Sequence, residues 1–182
     1  VAVSNVLDWT TVPPGEVVMY ADKDHPPGFT VLQNSFDFFN YSGIHRPVRL
    51  LLVPDIRVDD ISIVTELADD RAEVKYAIVQ TGNADVSIEV LRPDDSVAAS
   101  ASGARGSLTI HHPRLWEPGR PFLYTAQVRL YIGGNLRDEY HLPFGVRTVE
   151  VHGTQFLING KPFYFKGVSK HEDSALRGKG SD

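Results

Sequence analysis

Between Ile56 and Val149 apolar and polar residues alternate with a period of two, and this feature most limits what the chain can fold into. Val74, Tyr76 and Ile78 alternate with Glu73, Lys75 and Ala77, and Val86, Ile88 and Val90 alternate with Ser87 and Glu89. Phe122, Tyr124, Ala126, Val128 and Leu130 point one way, with Thr125, Gln127 and Arg129 the other. A strand sends successive side chains to opposite faces, so each run describes a sheet with one buried and one wet face. The i, i+3, i+4, i+7 spacing of an amphipathic helix is absent.

Turn-forming clusters separate the runs: Asp69-Asp70, Thr81-Gly82-Asn83, Arg92-Pro93-Asp94-Asp95, Pro118-Gly119 and Gly133-Gly134-Asn135. The pattern predicts seven strands near 58–67, 72–80, 84–91, 95–100, 106–111, 121–132 and 136–149. Seven short alternating strands in roughly 95 residues describe an immunoglobulin-like or fibronectin-like sandwich. The cysteine pair of antibody domains is missing, and Trp116 lies in a Pro-rich link before the sixth strand rather than on a central one.

The flanks read differently. Val1-Ala2-Val3 is expected to be a strand, Trp9 to Gly15 a turn region, Tyr20 to Gln33 a long loop, and Arg46 to Val53 a long apolar strand. After Val151, Phe156 to Phe163 reads as a hairpin turning at Asn159-Gly160, with Tyr164 to Val168 as a further strand. Neither flank has enough strands to close a core. Each is expected to be part of a larger domain, with fast amide exchange before about residue 55 and after about residue 150 when the chain is alone.

Composition removes several classes of function. A formal charge of −5 argues against a nucleic-acid partner, whose phosphates need a basic face. The absence of cysteine removes disulfides, thiolate zinc sites and cysteine catalysis. No apolar run reaches the ~18–20 residues of a membrane-spanning helix, so no membrane partner is expected. No compartment can be read from the chain.

Two polar segments stand out. Phe36 to Val48 combines aromatic residues with Asp37, His45 and Arg46. One reading is a structural corner in which Asp37 and Arg46 neutralise each other. The other is a sugar contact, because a carboxylate accepts hydrogen bonds from two neighbouring hydroxyls at once. Past the expected strand at Tyr164, the chain turns abruptly charged at His171-Glu172-Asp173, either as a solvated loop or as a site at the C-terminal end of a barrel strand. Gly178-Lys179-Gly180-Ser181 lacks phosphate-loop spacing, and Gly167 to His171 lacks the second glycine of a nucleophile elbow. His111 and His112, adjacent on a strand, would face apart, so no metal is expected. Asn40-Tyr41-Ser42 spells a glycosylation sequon, but its aromatic surroundings suggest burial.

These segments, with Trp9 to Gly15, Val58-Asp59-Asp60-Ile61, Leu115-Trp116-Glu117-Pro118-Gly119, Phe144-Gly145-Val146-Arg147, Phe156 to Phe163 and Arg177-Gly178-Lys179-Gly180, resemble glycoside hydrolase family 2, and within it the β-glucuronidase branch. The resemblance covers essentially the whole chain. Ser169 stands where the family commonly has Asn, and Ser181 where it commonly has a large aromatic.

The resemblance implies a mainly β chain in three parts. Residues 1–54 would be the end of a jelly-roll sugar-binding-like domain, 55–149 the immunoglobulin-like sandwich, and 150–182 the opening hairpin and first strand of a (β/α)8 barrel. It implies that Asp37 and His171 line a sugar subsite, with Glu172, Asp173, Arg177 and Lys179 in support. The implied activity is retaining hydrolysis of β-D-glucuronides, with the rest of the barrel and a homo-oligomer as partners and no cofactor. The catalytic glutamates lie on later barrel strands, the acid/base following an Asn, and no Asn-Glu pair occurs here. The resemblance also implies an Asn-X-Lys element in the barrel that reads the sugar carboxylate, and this element is likewise expected to be missing from the chain. The chain alone is therefore expected to be inactive. A stand-alone sandwich scaffold, a weak carbohydrate-binding module, and a β-galactosidase or β-mannosidase of the same family are the other readings.

Overall fold

Alternate residues of the central segments turn inward and meet in one core, as their periodicity requires. The structure, a computed structural model, describes residues 1–36, 40–44, 46–170, 176 and 178. Among these residues all regular structure is strand, and no helix is long and apolar enough to cross a membrane. The chain divides into two units, Val1–Leu50 with Gly167–Asp182, and Leu51–Lys166.

In the first unit β1 (Gly15–Met19) pairs antiparallel with β2 (Thr30–Asn34), from Gly15 opposite Asn34 to Met19 opposite Thr30. The connection is closed by its own rings: His25 lies 4.6 Å from Tyr20 and 4.9 Å from Phe29 between centroids, and its Nδ1 sits 2.7 Å from Asp22 Oδ1. The expected loop Tyr20–Gln33 is thus shorter than composition suggests. Pro26-Pro27-Gly28 confine the turn, and the β-favouring Thr30-Val31-Leu32 join the ladder. Two expected strands, Val1–Val3 and Arg46–Val53, do not form. Apolar composition cannot make a strand without a neighbour to take its backbone bonds, and Leu50 and Leu52 are fully exposed at 100 % and 103 %.

The second unit holds the sandwich. Its strands are β3 (Arg57–Ala68), β4 (Arg71–Thr81), β5 (Asp85–Leu91), β6 (Val97–Ser102), β7 (Arg105–His111), β8 (Tyr124–Ile132) and β9 (Asn135–Phe144). They form a three-stranded sheet, β3-β4-β7, and a four-stranded sheet, β6-β5-β8-β9, with every pairing antiparallel. Val74 and Ile78 of β4 and Ile110 of β7 share one core with Ile88 of β5 and Val128 and Leu130 of β8. All seven expected strands are present. The sixth starts at Tyr124 rather than 121, and the seventh stops at Phe144 rather than 149. His112 leaves the end of β7 with φ 50°, its N–H donating to Asp70 O at 2.7 Å, so it is not on the strand with His111.

After the sandwich, β10 (Val149–His152), β11 (Gln155–Ile158) and β12 (Lys161–Pro162) form an antiparallel meander. The expected Asn159-Gly160 turn is there, with φ 52° and 69°, the left-handed pair that a tight hairpin of this type requires. The expected strand Tyr164–Val168 does not form among the described residues. Tyr164 and Val168 are 81 % and 94 % exposed, again for want of a neighbouring strand.

The outer face of the four-stranded sheet is charged. Arg129 on β8 lies between Glu89 on β5, 2.9 Å from its Nη1, and Glu139 on β9, which accepts from its Nε. Gln127, 8 % exposed, donates to Glu139 at 3.2 Å, and His141 Nε2 lies 3.0 Å from the other Glu139 oxygen. Hydrogen bonding from the Arg129 guanidinium, supported by His141, holds the Glu139 carboxyl below the usual glutamate range.

Two outcomes follow for urea unfolding of this chain. Leu130→Ala, at a fully buried site, should cost about 2–5 kcal/mol with little change in m, whereas Leu136→Ala, half exposed, should stay within about 0.5 kcal/mol. Because the folded state lowers the Glu139 pKa, the stability it adds is present above the usual glutamate pKa and is lost as pH falls through the folded value. Arg129→Met should therefore flatten the loss of stability measured between about pH 6 and about pH 3.

Candidate functional site

Asp37 and His171, the sugar contacts expected from the sequence, lie outside the described residues, and so do Glu172, Asp173, Arg177 and Lys179. The alternative pairing of Asp37 with Arg46 falls outside them for the same reason. The residues around them are described. In the first unit, a side chain at Gly178 would bring its Cβ to 3.1 Å from Cγ of Tyr41, and Gly178 has φ 57°. Tyr41 belongs to the segment around Asp37 and Gly178 to the one following His171. Tyr41 and Gly178 therefore touch, and glycine at 178 is what permits the contact.

The turn that leads into β1 is held by its own side chains. Asp8 Oδ1 accepts from the hydroxyl and from the N–H of Thr10, both at 2.6 Å, and Gly15 N–H donates to Asp8 O at 3.1 Å. The two Thr10 bonds, the hydroxyl's first, keep the Asp8 carboxyl below the usual aspartate range. Asn40 is half-buried, and its amide nitrogen donates to Asn5 O at 2.9 Å, so the sequon nitrogen already has a partner.

In the second unit, three of the separated motifs that carry the family resemblance converge. Trp116 packs directly on Gly145, where a Cβ would come within 2.6 Å of the Trp116 Cβ. Trp116 N–H donates to Val146 O at 2.9 Å, and the Arg147 guanidinium lies 4.4 Å from the indole centroid. Asn159 joins the third motif to the other two. Its Oδ1 accepts from Thr148 N–H at 3.0 Å, its Nδ2 donates to Trp116 O at 3.0 Å, and its own N–H donates to Thr148 O at 3.0 Å. Lys161 Nζ reaches Glu117 Oε1 at 3.2 Å, and the Thr65 hydroxyl donates to Arg147 O and accepts from its N–H, tying β3 to the same segment. The sequence shows the turn at Asn159-Gly160 but not where the Asn159 side chain goes, because Trp116 is 43 residues away along the chain.

Two recesses border this junction. An open groove of about 640 Å³ is lined by Ile63 to Glu66, Leu123, Pro143 to Gly145 and Arg147 to Glu150, and a smaller cleft of about 230 Å³ by Glu117, Pro118, Ile158, Asn159 and Lys161 to Phe163. Among the described residues no group of three His, Cys, Asp or Glu could hold a metal ion. Asn159-Gly160-Lys161 does spell Asn-X-Lys, against the expectation that this triplet lies elsewhere. In this copy Asn159 is bonded to Thr148 and Trp116, and Lys161 to Glu117.

The family model "Glycosyl hydrolases family 2" matches residues 56–147, and "Glycosyl hydrolases family 2, TIM barrel domain" matches 149–182. A beta-glucuronidase of Paenibacillus borealis is 44 % identical over 184 residues, covering 100 % of this chain and 31 % of that protein. The structure of the beta-D-glucuronidase of Dictyoglomus thermophilum is 45 % identical with a TM-score of 0.80, covering 98 % of this chain and 30 % of the other. The β-glucuronidase of Ruminococcus gnavus in complex with D-glucaro 1,5-lactone is 34 % identical, also with a TM-score of 0.80, over 98 % of this chain and 30 % of the other. The chain thus spans about 30 % of the length of these relatives. A match running through the whole sandwich, on residues that meet at one packed junction, means that the chain belongs to glycosyl hydrolases family 2.

Proposed function

We propose that this chain is the scaffold and remote sugar-contacting part of a retaining β-glucuronidase-like glycoside hydrolase acting on terminal β-D-glucuronides. The observation that carries the reading is the match of the entire chain to beta-glucuronidases, one of them holding D-glucaro 1,5-lactone, a sugar lactone. In this reading residues 1–54 end a jelly-roll domain, 55–149 are the sandwich, and 150–182 open the barrel. The family-model boundary between 147 and 149 supports the second division. Asp37 and His171 hydrogen-bond sugar hydroxyls, and the contact between Tyr41 and Gly178 supports a site shared by their two segments.

The chemistry itself needs two carboxyl groups about 5–5.5 Å apart across the glycosidic bond, one protonated as acid and one ionised as nucleophile. We assign both to glutamates of later barrel strands, which the rest of the barrel supplies as the partner of this chain. The residues present here bind and orient the sugar and support the site.

In the assembled enzyme, Asp37→Ala and His171→Ala should each lower kcat/KM for a nitrophenyl glucuronide by the equivalent of about 1.5–3 kcal/mol, the worth of a hydrogen bond to a charged group. Unchanged kcat/KM in both variants would remove these two residues from the site. The purified 182-residue chain should show no turnover of the same substrate, and measurable turnover would refute the division of labour.

A further inference from the structure

The Asn159 side chain has an unusual position for a turn residue. Asn and Gly are both accepted at a left-handed turn position, so the turn alone does not call for a carboxamide. Here the carboxamide is used at both ends, with Oδ1 on the N–H of Thr148 and Nδ2 on the carbonyl of Trp116. Exchanging the two atoms would set donor against donor and acceptor against acceptor, so the orientation is forced. Aspartate has no donor for Trp116, and glycine has neither group.

The brace reaches the chain leaving the hairpin. Phe163 N–H donates to Phe156 O at 2.8 Å, and the Phe165 ring packs edge-on to Phe156 at 4.8 Å and to Phe163 at 5.0 Å. The segment from Phe163 to Phe165 is therefore fastened to β11, and the β11–β12 turn is fastened to the sandwich through Asn159. On the sandwich side Trp116 is seated on Gly145 and under Arg147, so the anchor is itself held on two sides.

We propose that Asn159 is a positioning residue: by bridging Thr148 and Trp116 it sets the position in which the chain leaves β12, and through it the affinity of the assembled enzyme for the glycoside. This rests on the reading that the segment beyond β12 contributes to the sugar subsite. The role is one of placement, since both polar ends of the side chain are taken by the backbone.

Two readouts on the assembled enzyme separate this inference from the function it rests on. The first is amide exchange. Asn159→Gly keeps the turn and removes the bridge, and should speed exchange at Phe163 to Phe165 while leaving β8 unchanged. Unchanged exchange at those amides overturns the inference, whatever the enzyme hydrolyses. The second is kinetic, with nitrophenyl glucuronide well below the unfolding temperature. Asn159→Gly should raise KM by about fivefold or more with kcat within about twofold of wild type, and Val128→Ala, a core substitution, serves as the stability control and should leave both constants unchanged. Asn159→Asp should be worse than Asn159→Gly near neutral pH, where a carboxylate faces the Trp116 carbonyl. Relative to wild type it should recover as the pH is lowered, when a protonated carboxyl can donate. If Asn159→Gly shifts only the unfolding temperature, with KM unchanged, Asn159 is a structural brace and the inference fails. If wild type hydrolyses no glucuronide, the proposed function fails, and the exchange at Phe163 to Phe165 still decides the role of Asn159.

Discussion

The inward-facing apolar rows on β4, β5, β7 and β8 are what the rest of the structure depends on. Each supplies every second residue to one dry layer, and each strand finds its backbone partners in the neighbours that supply the others. Burial and hydrogen bonding are thus satisfied by the same arrangement, which makes the sandwich the rigid body of the chain. The charged outer row of Arg129 between Glu89 and Glu139 adds a solvent-facing layer at no cost to the core, since alternate residues serve the two faces independently.

The junction after β9 extends that rigidity. Gly145 lets the indole of Trp116 lie against the backbone, Arg147 covers the indole, and Asn159 binds the hairpin to both. None of these contacts is large. They join three segments far apart in sequence: the link bearing Trp116, the stretch from Gly145 to Arg147, and the turn at Asn159.

The flanks show the opposite condition. The apolar side chains of Leu50 and Leu52, and of Tyr164 and Val168, are largely exposed, and the segments that bear them form no strand among the described residues. The reason lies in the cooperativity of sheets: side-chain preference contributes little until a neighbouring strand accepts the backbone bonds. Expectations of strand drawn from composition held where neighbours were present and failed where they were not.

Seven strands, their turns and their buried faces could be read from the residues, because a period of two is a local property and the dyads that break it are short-range signals. The Asn159-Gly160 turn was legible for the same reason, and the family was legible because its motifs are long. What tertiary structure alone decided is the destination of side chains across long separations: Asn159 on Trp116, Thr65 on Arg147, Tyr41 against Gly178. A sequence records which groups can donate, accept or pack. Which of them meet depends on how separate segments are brought side by side, and that is settled only when the whole core forms.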